Sequence, residues 1–247
     1  MRRQLDRLIA ALLLLFAAPV IAVLAVLVRR QDGGAAFVRL TRVGRNGRRF
    51  TMLKLRSMRV GGAEGRAGGS PITAAGDGRI TPLGGVLRRY RLDELPQLLN
   101  VLRGDMALIG PRPETPEFVD VTDPIWTEVL HATPGIAGPT QLLVHQWEER
   151  ELVGDDGGGA YTTLVLPAKL QCDRWYVRSA SPSTDALVLL GTVWQIFGGW
   201  NSDWLRARLD RRIRGVAWQW PPVYHPGVSA IDGPTATVTQ DSSQEPE

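Results

Sequence analysis

From Leu8 to Val28 the chain carries no charged residue. These 21 residues make about 31 Å of helix at ~1.5 Å per residue, enough to cross the hydrocarbon core of a bilayer. Arg2, Arg3 and Arg7 precede the stretch, Arg29 and Arg30 follow it, and Pro19 sits near its middle. Three readings compete. A signal peptide has the right start, Met1-Arg2-Arg3, but too long an apolar run and arginines behind it. A simple transmembrane span has the right length. A re-entrant helix-hairpin, entering and leaving on one face, accounts for positive charge at both ends and for a proline that removes one helical hydrogen bond. Prolines also occur in straight-through helices, so the pattern leaves the span at least as open as the hairpin. Either way the stretch is an anchor with the globular part beside the membrane.

Downstream the pattern changes period. Phe37 to Leu40 begins a strand, Gly44-Arg45-Asn46-Gly47 is a turn with the Asn-Gly hairpin signal, and Phe50 to Met58 alternates apolar with polar or basic residues. This predicts a β-hairpin. Gly61 to Gly69 is glycine-rich and lacks the Gly-Lys-Ser/Thr ending of a P-loop, which makes it an insertion or lid. Helices are predicted over Leu83–Arg91, over the stretch that starts at Asp93, and over Val119–Leu130, Leu164–Ser179 and Thr184–Trp200. Thr133 to Gly138 is predicted as a loop. In Asn201–Trp220 one helical face carries Leu205, Leu209, Ile213 and Val216 and the other is arginine-rich. Tryptophans flank the segment, so it suits either the headgroup layer or the surface of the domain. The expected division is 1–30 for the membrane hairpin, 31–220 for a catalytic domain and 221–247 for a disordered tail.

Composition narrows the partners. A net charge of +4, carried almost wholly by arginine with Lys54 and Lys169 the only lysines, suits an anionic partner. No nucleic-acid recognition signature is present. A single cysteine, Cys172, excludes an internal disulfide, and His131, His145 and His225 lack zinc-site spacing. These histidines read as ordinary polar residues.

The densest chemistry lies between Leu92 and Pro113. Leu95, Leu98, Leu99 and Leu102 recur at i, i+3, i+4, i+7, the spacing of one buried helical face, and Gly104 is a stop. Asp93 stands where an N-cap belongs, with Glu94 beside it and Pro96 in the first turn. Helix capping is the plain reading of the two acids. Arg88, Arg89 and Arg91 just before and Arg112, between two prolines, just after argue for a second one, a phosphate ester held with a divalent cation. Lys54 and Arg56, on one face of the second hairpin strand, are either a solvated face or a diphosphate clamp.

Three blocks resemble the bacterial sugar transferases of the small monotopic phosphoglycosyl transferase superfamily. Lys54-Leu55-Arg56-Ser57-Met58 is similar to the family's Lys-Phe-Arg-Ser/Thr-Met. Arg79 to Arg88, then Leu92-Asp93-Glu94-Leu95-Pro96-Gln97-Leu98 through Gly104-Asp105-Met106 and Gly110-Pro111-Arg112-Pro113, is similar to its catalytic core. Pro134-Gly135-Ile136-Ala137-Gly138 is similar to its Pro-Gly-Ile-Thr-Gly loop. The resemblance covers about residues 5 to 200. One departure stands out: Gln141-Leu142-Leu143-Val144-His145-Gln146-Trp147 lacks the usual Gly-Arg.

The resemblance implies an α/β, mainly α, monotopic membrane protein. It would have an N-terminal re-entrant hairpin and a compact domain with a short β-hairpin and interfacial amphipathic helices, on the cytoplasmic face of the bacterial inner membrane. It implies transfer of a sugar-1-phosphate from a UDP-sugar to a polyprenyl (undecaprenyl) phosphate with release of UMP, as the initiating step of exopolysaccharide or glycan synthesis. Asp93 would be the nucleophile and the ligand of Mg²⁺, and Glu94 would assist the second half-reaction. Lys54, Arg56, Arg88, Pro111 and Arg112 would line the phosphate site. The expected partners are the UDP-sugar, the lipid phosphate and the bilayer, with no nucleic acid; a homo-oligomer is left open. The alternative is a catalytically silent membrane protein that binds lipid phosphate groups or a glycan-assembly partner.

Overall fold

The computed structural model describes residues 2–59, 77–152 and 159–196. The glycine-rich stretch 61–69, the Trp/Arg-rich segment 201–220 and the tail 221–247 lie outside the described residues. The described part is mainly helical with two small two-stranded sheets, matching the expected class.

The apolar N-terminal stretch is one helix, α1 (Arg2–Asp32), with Pro19 inside it. Here the expected helix-hairpin is corrected: every residue from Arg2 to Asp32 is helical, so there is no reversing turn between two helices. The helix is long and apolar enough to cross a membrane. One of its stripes nevertheless belongs to the domain. Ala10, Leu14 and Ala17 pack with Leu40, Met52, Leu98, Val101 and Met106. Further on, Leu24, Ala25 and Val28 pack with Leu55, Leu87 and Leu92. These positions recur every three or four residues, the period of one helical face. The other face stays bare, with Leu8, Leu15 and Phe16 exposed by 60%, 69% and 74%.

The β-hairpin forms as predicted. Strands β1 (Phe37–Val43) and β2 (Arg49–Leu55) pair antiparallel, Phe37 opposite Leu55 and Val43 opposite Arg49. Asn46 and Gly47 take the left-handed φ values of 56° and 73° that make Asn-Gly a hairpin signal. Helix α2 (Pro82–Arg89) starts on Thr81, whose hydroxyl accepts from the Gly84 amide at 2.9 Å.

The central stretch departs from the predicted helix. Leu92–Gln97 winds as a 3₁₀ turn, and only Leu98–Arg103 is α-helix, α3. Arg91, at φ 53°, takes the N-cap position, so Asp93 is inside the turn and caps nothing. The buried residues are Asp93, Glu94, Pro96, Gln97, Leu98, Asn100 and Val101, while Leu95, Leu99 and Leu102 are only half-buried. The leucine stripe assumed 3.6 residues per turn; three per turn rotates the acids onto the inner face. Gly104 does end α3, at φ 88°.

Strand β3 (Ala107–Ile109) pairs in parallel with β4 (Gly135–Ala137), inside the segment predicted as a loop. The strands are so close that a Cβ on Gly135 would overlap the Gly110 amide nitrogen. Helix α4 (Pro124–Leu130) is shorter than predicted: Asp123 is extended before Pro124 and its carboxylate accepts from the Ile125 amide at 2.6 Å. Helices α5 (Pro139–Leu143) and α6 (His145–Glu151) follow. A π-turn, Tyr161–Val165, leads into α7 (Leu166–Ser179), which buries Leu170 and Tyr176 as expected. Helix α8 (Pro182–Ile196) is tied back by Tyr176, whose hydroxyl donates to Asp185 Oδ1 at 2.6 Å.

Candidate active site

Lys54, near the end of β2, is the pivot. Its ammonium lies 3.3 Å from Asp93 Oδ2 and 3.2 Å from Glu94 Oε1. Both acids are nearly inaccessible, 3% and 7% exposed. Asn100 fixes this juxtaposition. Fully buried on α3, it accepts from the Leu53 amide at 3.1 Å and donates to the Thr51 carbonyl at 2.7 Å, replacing a missing strand partner along β2. The 3₁₀ turn is thereby held against the strand that carries Lys54.

Arg112 reaches Glu94 from the segment after β3. The Gly110 amide donates to Ala137 O at 2.9 Å and the Gly135 amide to Pro111 O at 2.8 Å. Pro111 is thus buried and fixed through its carbonyl, and Arg112 follows at a set angle. Arg112 Nη2 donates to Glu94 Oε1 at 2.8 Å, while its buried Nη1 has no partner among the described residues. Arg91 adds a third cation, 3.9 Å from Glu94 Oε2, and is steadied by the Gln141 carbonyl and the Gln195 side chain. Burial pushes the Glu94 carboxyl up, but Arg112, Lys54 and Arg91 together hold it well below the usual carboxylate range. Glu94 is therefore a fixed negative charge. Asp93 shares only Lys54, through Oδ2, and Oδ1 accepts no hydrogen bond among the described residues.

Of the residues singled out in the sequence, Lys54, Asp93, Glu94 and Arg112 converge, and Pro111 bonds Gly135 instead. Arg56 does not converge either. The strand ends at Leu55, the Arg56 amide turns to Ala36 O, and the buried side chain donates to Val28 O and pairs with Asp32. Arg56 therefore ties down the end of α1, a correction to its expected place beside Lys54. Arg88 stays on α2, its Nε donating to Ser57 Oγ at 2.8 Å.

Arg91, named in the sequence only as one of the arginines before the acid pair, sits at i−3 from Glu94 and pairs with it. Sequence reading passed over two further contributors. His145, read as an ordinary polar residue, lies in the segment that lacks Gly-Arg. Burial, with Arg91 and Arg112 nearby, pushes its imidazolium down to about 3, so the ring is neutral. Asp173 on α7 accepts from the Thr140 hydroxyl and lies near the Arg112 backbone. Burial raises its carboxyl to about 7 even so. Because the folded protein binds this proton more tightly than the unfolded chain does, stability falls as pH climbs from about 4 to 7 and levels off above. In thermal melts, Asp173→Asn lacks that decline, so its melting temperature gains on wild type across this window. A constant offset between the two proteins is the contrary result.

No group of three or more His, Cys, Asp or Glu side chains gathers among the described residues. A hard cation that draws most of its ligands from phosphate oxygens and water needs only one or two carboxylates. Asp93, with Oδ1 unengaged, meets that requirement.

The whole arrangement falls inside the match, over residues 1–199, to the family described as bacterial sugar transferase. The chain is 36% identical over 197 residues to the UDP-glucose:undecaprenyl-phosphate glucose-1-phosphate transferase of Caulobacter vibrioides, covering 78% of this chain and 68% of the relative. It is 33% identical over 204 residues to the UDP-N-acetylgalactosamine-undecaprenyl-phosphate N-acetylgalactosaminephosphotransferase of Aeromonas hydrophila, covering 81% of this chain but 44% of that protein. With the exopolysaccharide production protein ExoY of Rhizobium meliloti it shares 35% identity over 153 residues, 57% of this chain and 68% of the relative. A buried acid pair bracketed by Lys54, Arg91 and Arg112, within a match that spans α1 to α8, makes the chain a transferase that belongs to the bacterial sugar transferase family.

Proposed function

We propose that the protein transfers a sugar-1-phosphate from a UDP-sugar to undecaprenyl phosphate, with Asp93 as nucleophile, at the start of polysaccharide or glycan assembly. The observation that carries this is the unequal treatment of the two acids. Three cations hold Glu94, whereas Asp93 shares one and keeps Oδ1 unengaged. Asp93 Oδ1 attacks the β-phosphorus of the donor. The bond from that phosphorus to the bridging oxygen breaks, and UMP leaves with the electron pair, giving a phosphosugar ester of Asp93. An oxygen of the acceptor phosphate then attacks the same phosphorus and the Asp93 carboxylate departs, leaving a lipid diphosphate sugar. Asp93 would hold a Mg²⁺ ion, which when bound would neutralise charge on the departing UMP. Arg112 Nη1 is a spare donor for a phosphate oxygen.

Glu94 has a role narrower than general base. A carboxylate held far below its usual pKa is a poor proton acceptor. A phosphate monoester with its second pKa near ~6 is already largely dianionic at neutral pH and needs no base. Glu94 therefore keeps Lys54 and Arg112 aimed at the phosphate site.

The acceptor is a lipid, so the site must sit at the bilayer surface. Both ends of α1 dock on the same domain: Arg3 donates to Thr133 and Arg7 to the Arg103 carbonyl at one end, and Asp32 pairs with Arg56 at the other. That supports a helix embedded without crossing, with its arginine-flanked ends and the domain on the cytoplasmic face of the inner membrane.

The test is UMP release by the detergent-solubilised full chain with undecaprenyl phosphate, Mg²⁺ and a panel of UDP-sugars. Release with one donor, dependent on the lipid phosphate, is expected and identifies the sugar. Binding of the lipid phosphate with no release from any donor leaves the silent-binder reading in its place.

A further inference from the structure

A cavity of about 380 Å³ opens where the start of α1 meets the domain, and none of Lys54, Asp93, Glu94 or Arg112 lines it. Its basic residues come from separate parts of the chain, Arg3 and Arg7 from the first turns of α1 and Arg45 from the turn between β1 and β2. The oxygens they bond are neutral: Thr133 Oγ1 for Arg3 at 3.3 Å, the Arg103 carbonyl for Arg7 at 3.4 Å, and the His131 carbonyl for Arg45 at 3.0 Å. Asp6 is the one carboxylate in the lining, against these three guanidinium groups. The cavity's inner wall, Met106, Ala107 and Ile109, is apolar, and the bare face of α1 is reached from Asp6 through Ile9 and Leu13, exposed at i+3 and i+7 on the same flank of the helix.

We infer that this cavity binds the phosphate of an anionic membrane lipid, at a site separate from the one that performs transfer. Guanidinium groups whose partners are neutral oxygens retain donors and charge for a phosphate. The volume falls in the range of small-ligand sites. The adjoining apolar face of α1 gives acyl chains a surface to lie on, which a free phosphate would not use. The site stands whether or not Asp93 performs the transfer proposed above. Because Gly110 and Pro111 form part of its wall, an occupying headgroup presses on the segment that presents Arg112.

The test is native mass spectrometry of the delipidated full chain in detergent, with phosphatidylglycerol or zwitterionic phosphatidylcholine added at equal concentration. Wild type is expected to retain phosphatidylglycerol in preference. Arg7→Gln and Arg45→Gln each lower that retention roughly fivefold, the worth of about one arginine near an anionic surface. Arg45→Lys restores most of it. Arg48→Gln, exposed in the same turn and outside the lining, leaves it unchanged. Arg45 is itself exposed, so its loss does not threaten the fold. Retention by Arg7→Gln and Arg45→Gln equal to wild type overturns the inference. So does displacement of the lipid by inorganic phosphate as effectively as by soluble glycerophosphoglycerol, which would make free phosphate the ligand.

Discussion

Asp93→Asn is expected to abolish transfer, with a loss of at least ~10³ in UMP release, as is usual when the attacking group of a covalent mechanism is removed. The decisive measurement is made without acceptor. Wild type incubated with its UDP-sugar and Mg²⁺ gains the mass of one sugar phosphate, and Asp93→Asn gains none. Label on the Asn variant would move the nucleophile to Glu94. Misfolding is separable from lost chemistry here. Lys54 keeps its 3.2 Å contact with Glu94 when the Asp93 charge is gone, so the melting temperature is expected to shift little.

Arg112→Met is expected to damage both stability and turnover. It removes one partner of a buried pair and leaves Glu94 with Lys54 and the more distant Arg91. Breaking such a pair from one side costs roughly 3 kcal/mol or more, because the surviving charge stays buried. Adding Glu94→Gln removes that charge, so the double variant recovers most of the melting temperature in thermal denaturation. Turnover does not recover, since neither the guanidinium nor the anion that orients Lys54 is restored. A double variant as unstable as Arg112→Met would mean that Arg112 matters through packing. The pH dependence has a definite sign: with its folded-state pKa depressed, Glu94 contributes stability above about 4.5, and that contribution is lost as pH falls below.

Much of this site was legible as residues and little of it as geometry. The β-hairpin announced itself through Asn46-Gly47, because left-handed φ at two successive positions leaves few other sequences. The acid pair was conspicuous through its arginines. Its placement was not, since a 3₁₀ turn before Pro96 changes the period on which the leucine stripe relied. Strands β3 and β4 are three residues each, too short to show alternation, yet they aim Arg112. Lys54 and Arg56 look equivalent two residues apart. They part because β2 ends between them and the last turn of α1, distant in sequence, supplies a closer carboxylate and carbonyl for Arg56. Asn100, Asp173 and His145 act through tertiary contacts and carry no local signal.

The stripe on α1 sets a limit on how this enzyme can be handled. An anchor joined by a tether can be cut away to release a water-soluble catalytic domain. Here Ala10, Leu14 and Ala17 fill the space between Met52, Leu98 and Met106, and Val28 closes over Leu55 and Leu87. Excision up to Asp32 would open the centre of the domain to water and strip Arg56 of the groups that bury it. For the lipid-using transferase proposed above, catalysis and attachment to the membrane are inherited together, and every assay of the one has to be made in the presence of the other.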